Sequence, residues 1–409
     1  MNKEPDQAAH DPYQALRYPE YRWFLAGALA LTMGTQIQTL VMGWQVYHLT
    51  RDPLSLGLIG LSEAVPFLGL ALIGGWAADR MDRRRLALLS LMALLLGAGL
   101  LLALNLGIAP RYAWPFYAIQ ALAGVGRAFN RPATQALGTE LVPREAYHNA
   151  ATWRSSSFQL AQVAGPAVGG LLYGFGSAGV AYSVEALLMC FAFGAMFQVR
   201  PRPRAPQNTS ILRSLGEGVR FVFTHRLVLS ALSLDLFAVL FGGAVALLPV
   251  FASEVLKVGP QGLGLLRAGP AIGAVAMSFW LAHHPPRRAG LMLLFCVAGF
   301  GLCWIGFALS VSFWLSMIFL ALSGAMDNVS VVLRGTLIQT LTPPEMMGRV
   351  QAVSGFFIGS SNELGAFESG LAARMLGVVS SVVMGGCMTL GIVGFTGWKV
   401  PELRKLESL

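Results

Sequence analysis

Gly75-Trp76-Ala77-Ala78-Asp79-Arg80-Met81-Asp82-Arg83-Arg84-Arg85 is the stretch on which the fold turns. Small residues and a single acid precede a run of arginines, with apolar sequence on both sides at 54–78 and 86–108. A helix of about 20 apolar residues crosses the ~30 Å hydrocarbon core of a bilayer. The stretch therefore reads as a tight, charged turn between two membrane spans. Arginines suit any loop on the basic side of a membrane, but that alone does not account for Asp79 placed before them or for the small residues.

The rest of the chain agrees. Of 409 residues, 55% are hydrophobic and 12% charged, about half the roughly 25% charge of a soluble domain. Glycine, at 47 residues, suits helices that pack closely in lipid. Apolar runs at 22–49, 54–78, 86–108, 112–138, 151–174, 178–199, 227–254, 262–282, 289–309, 312–338, 347–372 and 376–398 predict an all-α membrane protein with twelve transmembrane helices. Spans 4, 5, 10 and 11 carry polar residues, which face a bundle interior. The net charge of +9 does not indicate nucleic acid, because the basic residues cluster in short breaks between apolar runs.

Those clusters set the orientation. Arg80–Arg85, Arg131–Arg144, Arg200–Arg226, Arg287–Arg288, Arg349 and the tail Lys399, Arg404 and Lys405 fall on one side, read as cytoplasmic together with both termini. The other side holds Arg51, Arg111, Lys257, Arg267 and Arg374. The expected divisions are a cytoplasmic segment 1–21, a six-helix bundle 22–199, a cytoplasmic linker 200–226 ending in an amphipathic helix, a second bundle 227–398, and a cytoplasmic tail 399–409. No signal-peptide cleavage site follows the polar N-terminus. Cys190, Cys296, Cys303 and Cys387 lie in apolar runs, and no Cys or His spacing reads as a metal site.

The halves resemble each other. Leu141-Val142-Pro143-Arg144-Glu145 returns 200 residues later as Leu341-Thr342-Pro343-Pro344-Glu345, and at that offset Gly165 maps onto Gly365 and Gly170 onto Gly370. Such a repeat places a binding site between two halves.

The stretch 75–85 resembles the signature loop of the major facilitator superfamily, G-x-x-A-D-R-x-G-R-R/K, through Gly75, Ala78, Asp79, Arg80, Arg83 and Arg84. It departs at Asp82, where the superfamily has Gly. In span 5, Gly165-Pro166-Ala167-Val168-Gly169-Gly170 is similar to the G-P-x-x-G-G core of the superfamily's exporters; as an alternative it is an ordinary packing kink. Leu16–Arg22, Ala246–Phe251 and Thr342–Val350 resemble the branch that includes the enterobactin exporter and macrolide-efflux drug/proton antiporters. The resemblance implies proton-coupled export of a small amphiphilic molecule, a siderophore or drug, across a bacterial inner membrane by a monomer working through alternating access. It also implies a latch, in which Asp79 and its arginines engage the start of span 11 near Gly348-Arg349 and hold the inner gate shut. The second-half copy, 282–288, lacks the acid.

Charges inside apolar runs are the candidates for coupling and substrate binding: Glu63, Arg127, Asp235, Asp327, Arg334, Glu363 and Glu368, with Glu185 beside them. Arg127 resembles a conserved superfamily arginine. A carboxylate in lipid is protonated, paired or set in a wet cavity, and a carboxyl group shielded from water can load and release a proton near neutral pH. Structural ion pairs would use the same residues. Asp235 is the foremost candidate for coupling. Phe237, Phe241, Phe356 and Phe357 would line an amphiphile site or simply pack. No nucleotide-binding or hydrolase motif is present, so no cofactor and no enzymatic activity are expected. The alternatives are an uptake symporter, or a metal-ion or lysolipid transporter on the same fold.

Overall fold

The computed structural model describes residues 11–106, 110–200, 211–284, 288–343, 345–404 and 406, the side chains of 211–215 excepted. The linker start at 201–210, Arg287, Lys405 and the first ten residues lie outside the described residues. The long helices are span 1 (Pro19–Thr50), span 2 (Pro53–Arg80), span 3 (Arg83–Leu106), span 4 (Trp114–Glu140), span 5 (Tyr147–Phe175), span 6 (Ala178–Gln198), span 7 (Arg226–Val255), span 8 (Pro260–His283), span 9 (Ala289–Leu309), span 10 (Phe313–Leu341), span 11 (Met347–Leu376) and span 12 (Val378–Lys399). Among the described residues, nine helices are apolar enough to cross a membrane by composition alone. Spans 4, 5 and 11 fall short because they carry Arg127, Arg131, Arg154, Gln162 and Glu363 on a wall turned from lipid.

Local chemistry explains the span ends. Asp52 caps span 2, its carboxylate accepting the Leu54 N–H at 3.0 Å ahead of Pro53. Asp82 does the same for span 3, accepting the Arg85 N–H at 2.8 Å, so the residue that departs from the superfamily's Gly serves as a helix cap. Arg51 and Lys257, which follow spans 1 and 7, both take a left-handed conformation with φ of 53°.

Span 7 departs from the continuous helix expected over 227–254. Its ladder stops at Gly242–Gly243, where the Gly243 N–H bonds Val239 O at 3.1 Å. A 3₁₀ turn, Ala244–Leu247, and a π turn, Phe251–Val255, carry the chain on. Two glycines and Pro249 make the interruption cheap, because glycine gives up helical order readily and proline lacks a donor.

Spans 1–6 pack on one another, as do spans 7–12. The ends of the described chain share a face with the 211–224 helix: Ala15 donates to Asn149 at the start of span 5, and Gly290 at the start of span 9 donates to Leu406 O. We call this the termini face. The amphipathic helix Ile211–Thr224 forms as expected, packs on spans 11 and 7, and buries Val222.

The halves meet near the far face through two glycine crossings. A Cβ on Gly170 of span 5 would lie 2.9 Å from the Cα of Gly264 in span 8. One on Gly370 of span 11 would lie 3.0 Å from the Cα of Gly57 in span 2. The 200-residue offset read in the sequence thus marks equivalent contacts. Gly165 and Gly365 repeat the pattern against spans 1 and 7, touching Gln36 and Leu240.

Replacing Gly170 with Val should force these backbones apart at a cost of about 1–3 kcal/mol. We expect a lower melting temperature in detergent. In a cysteine-free background carrying Gln261→Cys, maleimide labelling at the far face should rise; unchanged labelling would contradict the crossing.

Candidate functional site

Between the halves lies a cavity of about 1140 Å³, somewhat above the ~300–1,000 Å³ of most small-molecule sites. Its wall reaches Phe24 at the start of span 1, Arg154 at the start of span 5 and Met196 at the end of span 6, all near the termini face. It ends around Gly43, Leu56 and Pro249. Beyond these, Tyr47 donates to Glu254 at 3.0 Å, Arg51 pairs with Glu254 at 3.4 Å and Arg374 with Asp52 at 3.4 Å, each contact joining the halves. Exposed pairs of this kind contribute at most about 1 kcal/mol each, so the glycine crossings do most of the closing. Among the described residues no hydrogen bond or ion pair joins the halves at the termini face.

The buried charges fall into two groups. On the first half, Glu63 of span 2 pairs with Arg127 of span 4 and accepts from Gln120. Gly124 allows the close approach, since a Cβ there would meet Glu63 and Pro66. Glu363 of span 11 reaches the same place from the other half: its carboxylate lies 3.7 Å from the position of a Cβ on Gly60, one turn of span 2 before Glu63. All three line the cavity.

The second group is internal to spans 7–12. Asp235 pairs with Arg334, both side chains being under 10% exposed at 8% and 5%. Neither lines the cavity, whereas Asp327, two turns from Arg334, does. Glu368 is not among the lining residues either. Glu185 is fully buried in span 6, away from the cavity, and neither carboxylate oxygen has a hydrogen-bond partner among the described residues.

The loop 75–85 is organised but not latched. Arg83 pairs with Glu140 at the end of span 4 and donates to Ala78 O at 3.1 Å. Arg84 donates to Phe197 O at 2.7 Å, and Arg80 lies 5.0 Å from the centre of the Trp76 ring. Asp79 is exposed, with no hydrogen bond or ion pair among the described residues. The partner expected for it, Arg349, is held instead by Glu217 of the 211–224 helix. In this conformation the cavity wall extends toward the termini face, and Arg349 is paired with another carboxylate.

Other placements also correct the sequence reading. Arg267, assigned to the far side, lines the cavity from the second turn of span 8. Phe237, Phe241, Phe356 and Phe357 are not on the wall, in keeping with the packing alternative; Phe67, Phe300 and Trp304 are on it. Glu140 and Glu217 also went unrecognised as partners of the loop and of Arg349. Helical spacing alone cannot pair residues so far apart in sequence.

The profile of the family described as "Transmembrane secretion effector" matches residues 10–409. The chain belongs to this family of major facilitator superfamily transporters. It is 30% identical over 363 residues to the enterobactin exporter EntS of Escherichia coli O81 (strain ED1a), covering 85% of this chain and 84% of that one. The EntS of Shigella flexneri is 29% identical over the same length. Among solved structures, a D-xylose-proton symporter superposes with a TM-score of 0.72 at 15% identity, covering 96% of this chain and 100% of that one. A bacterial homologue of the human lysosomal transporter Spinster, inward-facing and unoccupied, gives 0.71 at 17% identity over 95% and 97%. The chain is thus a transporter and not an enzyme, with two six-helix halves.

The Asp235–Arg334 pair yields a stability test. Arg334→Met leaves a carboxylate buried without its counter-ion, at a cost of about 3–5 kcal/mol. Adding Asp235→Asn should recover most of the lost melting temperature in detergent; a double variant no more stable than the single would show that the pair is not coupled.

Proposed function

We propose that this transporter is a proton-coupled exporter of small amphiphilic molecules, siderophore-like or drug-like, working by alternating access in a bacterial inner membrane with both termini cytoplasmic. The cluster of Glu63, Arg127 and Glu363 carries the reading, because it sets a carboxylate of one half against an ion pair of the other on the cavity wall. The relatives named as exporters and the basic residues of the termini face support export from that side.

The mechanism follows from differential stability. With Glu363 ionised, its carboxylate attracts Arg127 across the interface and competes with Glu63 for it; with Glu363 protonated, Arg127 belongs to Glu63 alone. The proton thus changes how strongly the halves hold each other at mid-depth, and a ligand that distinguishes two states shifts their populations. Substrate enters through the open termini face. The halves then rock so that the loop 75–85 meets the start of span 11, the far-face crossings part, and substrate leaves opposite. Asp235, the foremost candidate from sequence, serves here as a structural partner of Arg334.

In proteoliposomes with an imposed pH gradient, Glu363→Gln should lose at least ten-fold of gradient-driven transport while keeping substrate counterflow, which needs no proton. Normal gradient-driven transport by this variant would remove Glu363 from coupling. Asp79→Asn should slow turnover without weakening substrate binding to the state described here, in which Asp79 makes no hydrogen bond or ion pair among the described residues; a weaker affinity in equilibrium binding would refute that assignment.

A further inference from the structure

Span 9 packs behind spans 10 and 12, yet two of its side chains reach the cavity. The break in span 7 is the cause. At Gly242 a Cβ would come 3.1 Å from the Phe300 ring, so the missing side chain leaves that ring beside the interruption. Val245 and Ala246, on the turn after it, line the same cavity as Phe300 and Trp304. Trp304 is 1% exposed, and its indole N–H has no acceptor among the described residues, although a buried indole N–H is normally bonded.

Arg267 stands at the same depth. Gly269, two residues on in span 8, abuts Leu320 of span 10, and Gly306, two residues on from Trp304, abuts Phe319. Both side chains therefore flank one level of span 10. Arg267 has no ion pair or hydrogen bond among the described residues, whereas Arg127 on the same wall is answered by Glu63. A guanidinium inside a membrane is costly without a partner. Its planar fork fits a carboxylate or phenolate in two-point contact. Asp327 lies seven residues along span 10 from Leu320, about 10 Å at 1.5 Å per residue, which keeps an anion beside Arg267 apart from that acid.

We propose that this end of the cavity is a subsite for an anionic oxygen group borne on an aromatic ring, with Arg267 as its counter-ion and Phe300 and Trp304 as the walls for the ring. The assignment deepens the exporter reading and rests on it, since it names the chemical class of the cargo: aryl carboxylates and phenolates. The ring stacks in the recess opened by the span 7 break, and the indole N–H of Trp304 supplies a hydrogen bond that the folded chain leaves unused.

The test is equilibrium binding to the purified full chain in detergent, by calorimetry at low ionic strength. The probes are three ligands of one shape: 1-naphthoate, 1-naphthamide and 1-naphthylmethylammonium. The wild type should bind naphthoate at least ten-fold more tightly than the amide, and the ammonium least. Arg267→Gln should abolish the preference for naphthoate while leaving amide binding intact, Arg267→Lys should retain part of it, and Trp304→Leu should weaken both naphthoate and amide. Binding of none of the three, equal binding of naphthoate and amide, or an undiminished preference in Arg267→Gln would each overturn the proposal. Because no gradient is involved, loss of proton-driven transport in a separate flux assay would sink the exporter reading without touching this result, and the converse also holds.

Discussion

The backbone contact of span 5 with span 8 and of span 2 with span 11 is the constraint on which the rest of the structure depends. Between helices in lipid there is no hydrophobic gain from association, so adhesion comes from close packing of small residues. Gly170 against Gly264 and Gly370 against Gly57 bring backbones into contact near the far face. Pinned there, the halves diverge toward the termini face, and the cavity is the space that this divergence leaves.

That space decides where charge can be placed. Arg127, Glu63, Glu363, Asp327 and Arg267 all line it. Asp235 and Arg334 do not, and they answer each other. Replacing a buried pair by apolar residues is often neutral or stabilising, so the pair's retention inside the second half calls for a reason beyond bulk stability. Asp327, two turns from Arg334 on span 10, lines the cavity and so links the pair's helix to the wall.

Much of this was legible in the sequence. Hydrophobic run length gave the spans, and the small residues and acid ahead of the arginines at 75–85 gave the loop. The 200-residue offset mapped Gly170 onto Gly370, and the structure puts the two in equivalent contacts. What the sequence hid follows from its one-dimensional nature. The Gly242–Gly243 break was masked because two glycines in an apolar run look like ordinary packing residues. Arg267 was counted with the far-side loops because charge near a span end reads as interfacial, and no periodicity tells whether that helix face meets lipid or a cavity. The Arg349–Glu217 pair stayed invisible because it joins a linker helix to a span 132 residues away.

The equivalence of the two crossings has a mechanical consequence. Two small contact points at opposite ends of a line define an axle, and a body held on an axle keeps one rotation and loses the others. In this conformation the two halves diverge from the line joining Gly170–Gly264 to Gly57–Gly370. Enlarging one bearing tilts that line instead of merely loosening it, so a bulky residue at a single crossing would skew one half against the other and distort the cavity between them.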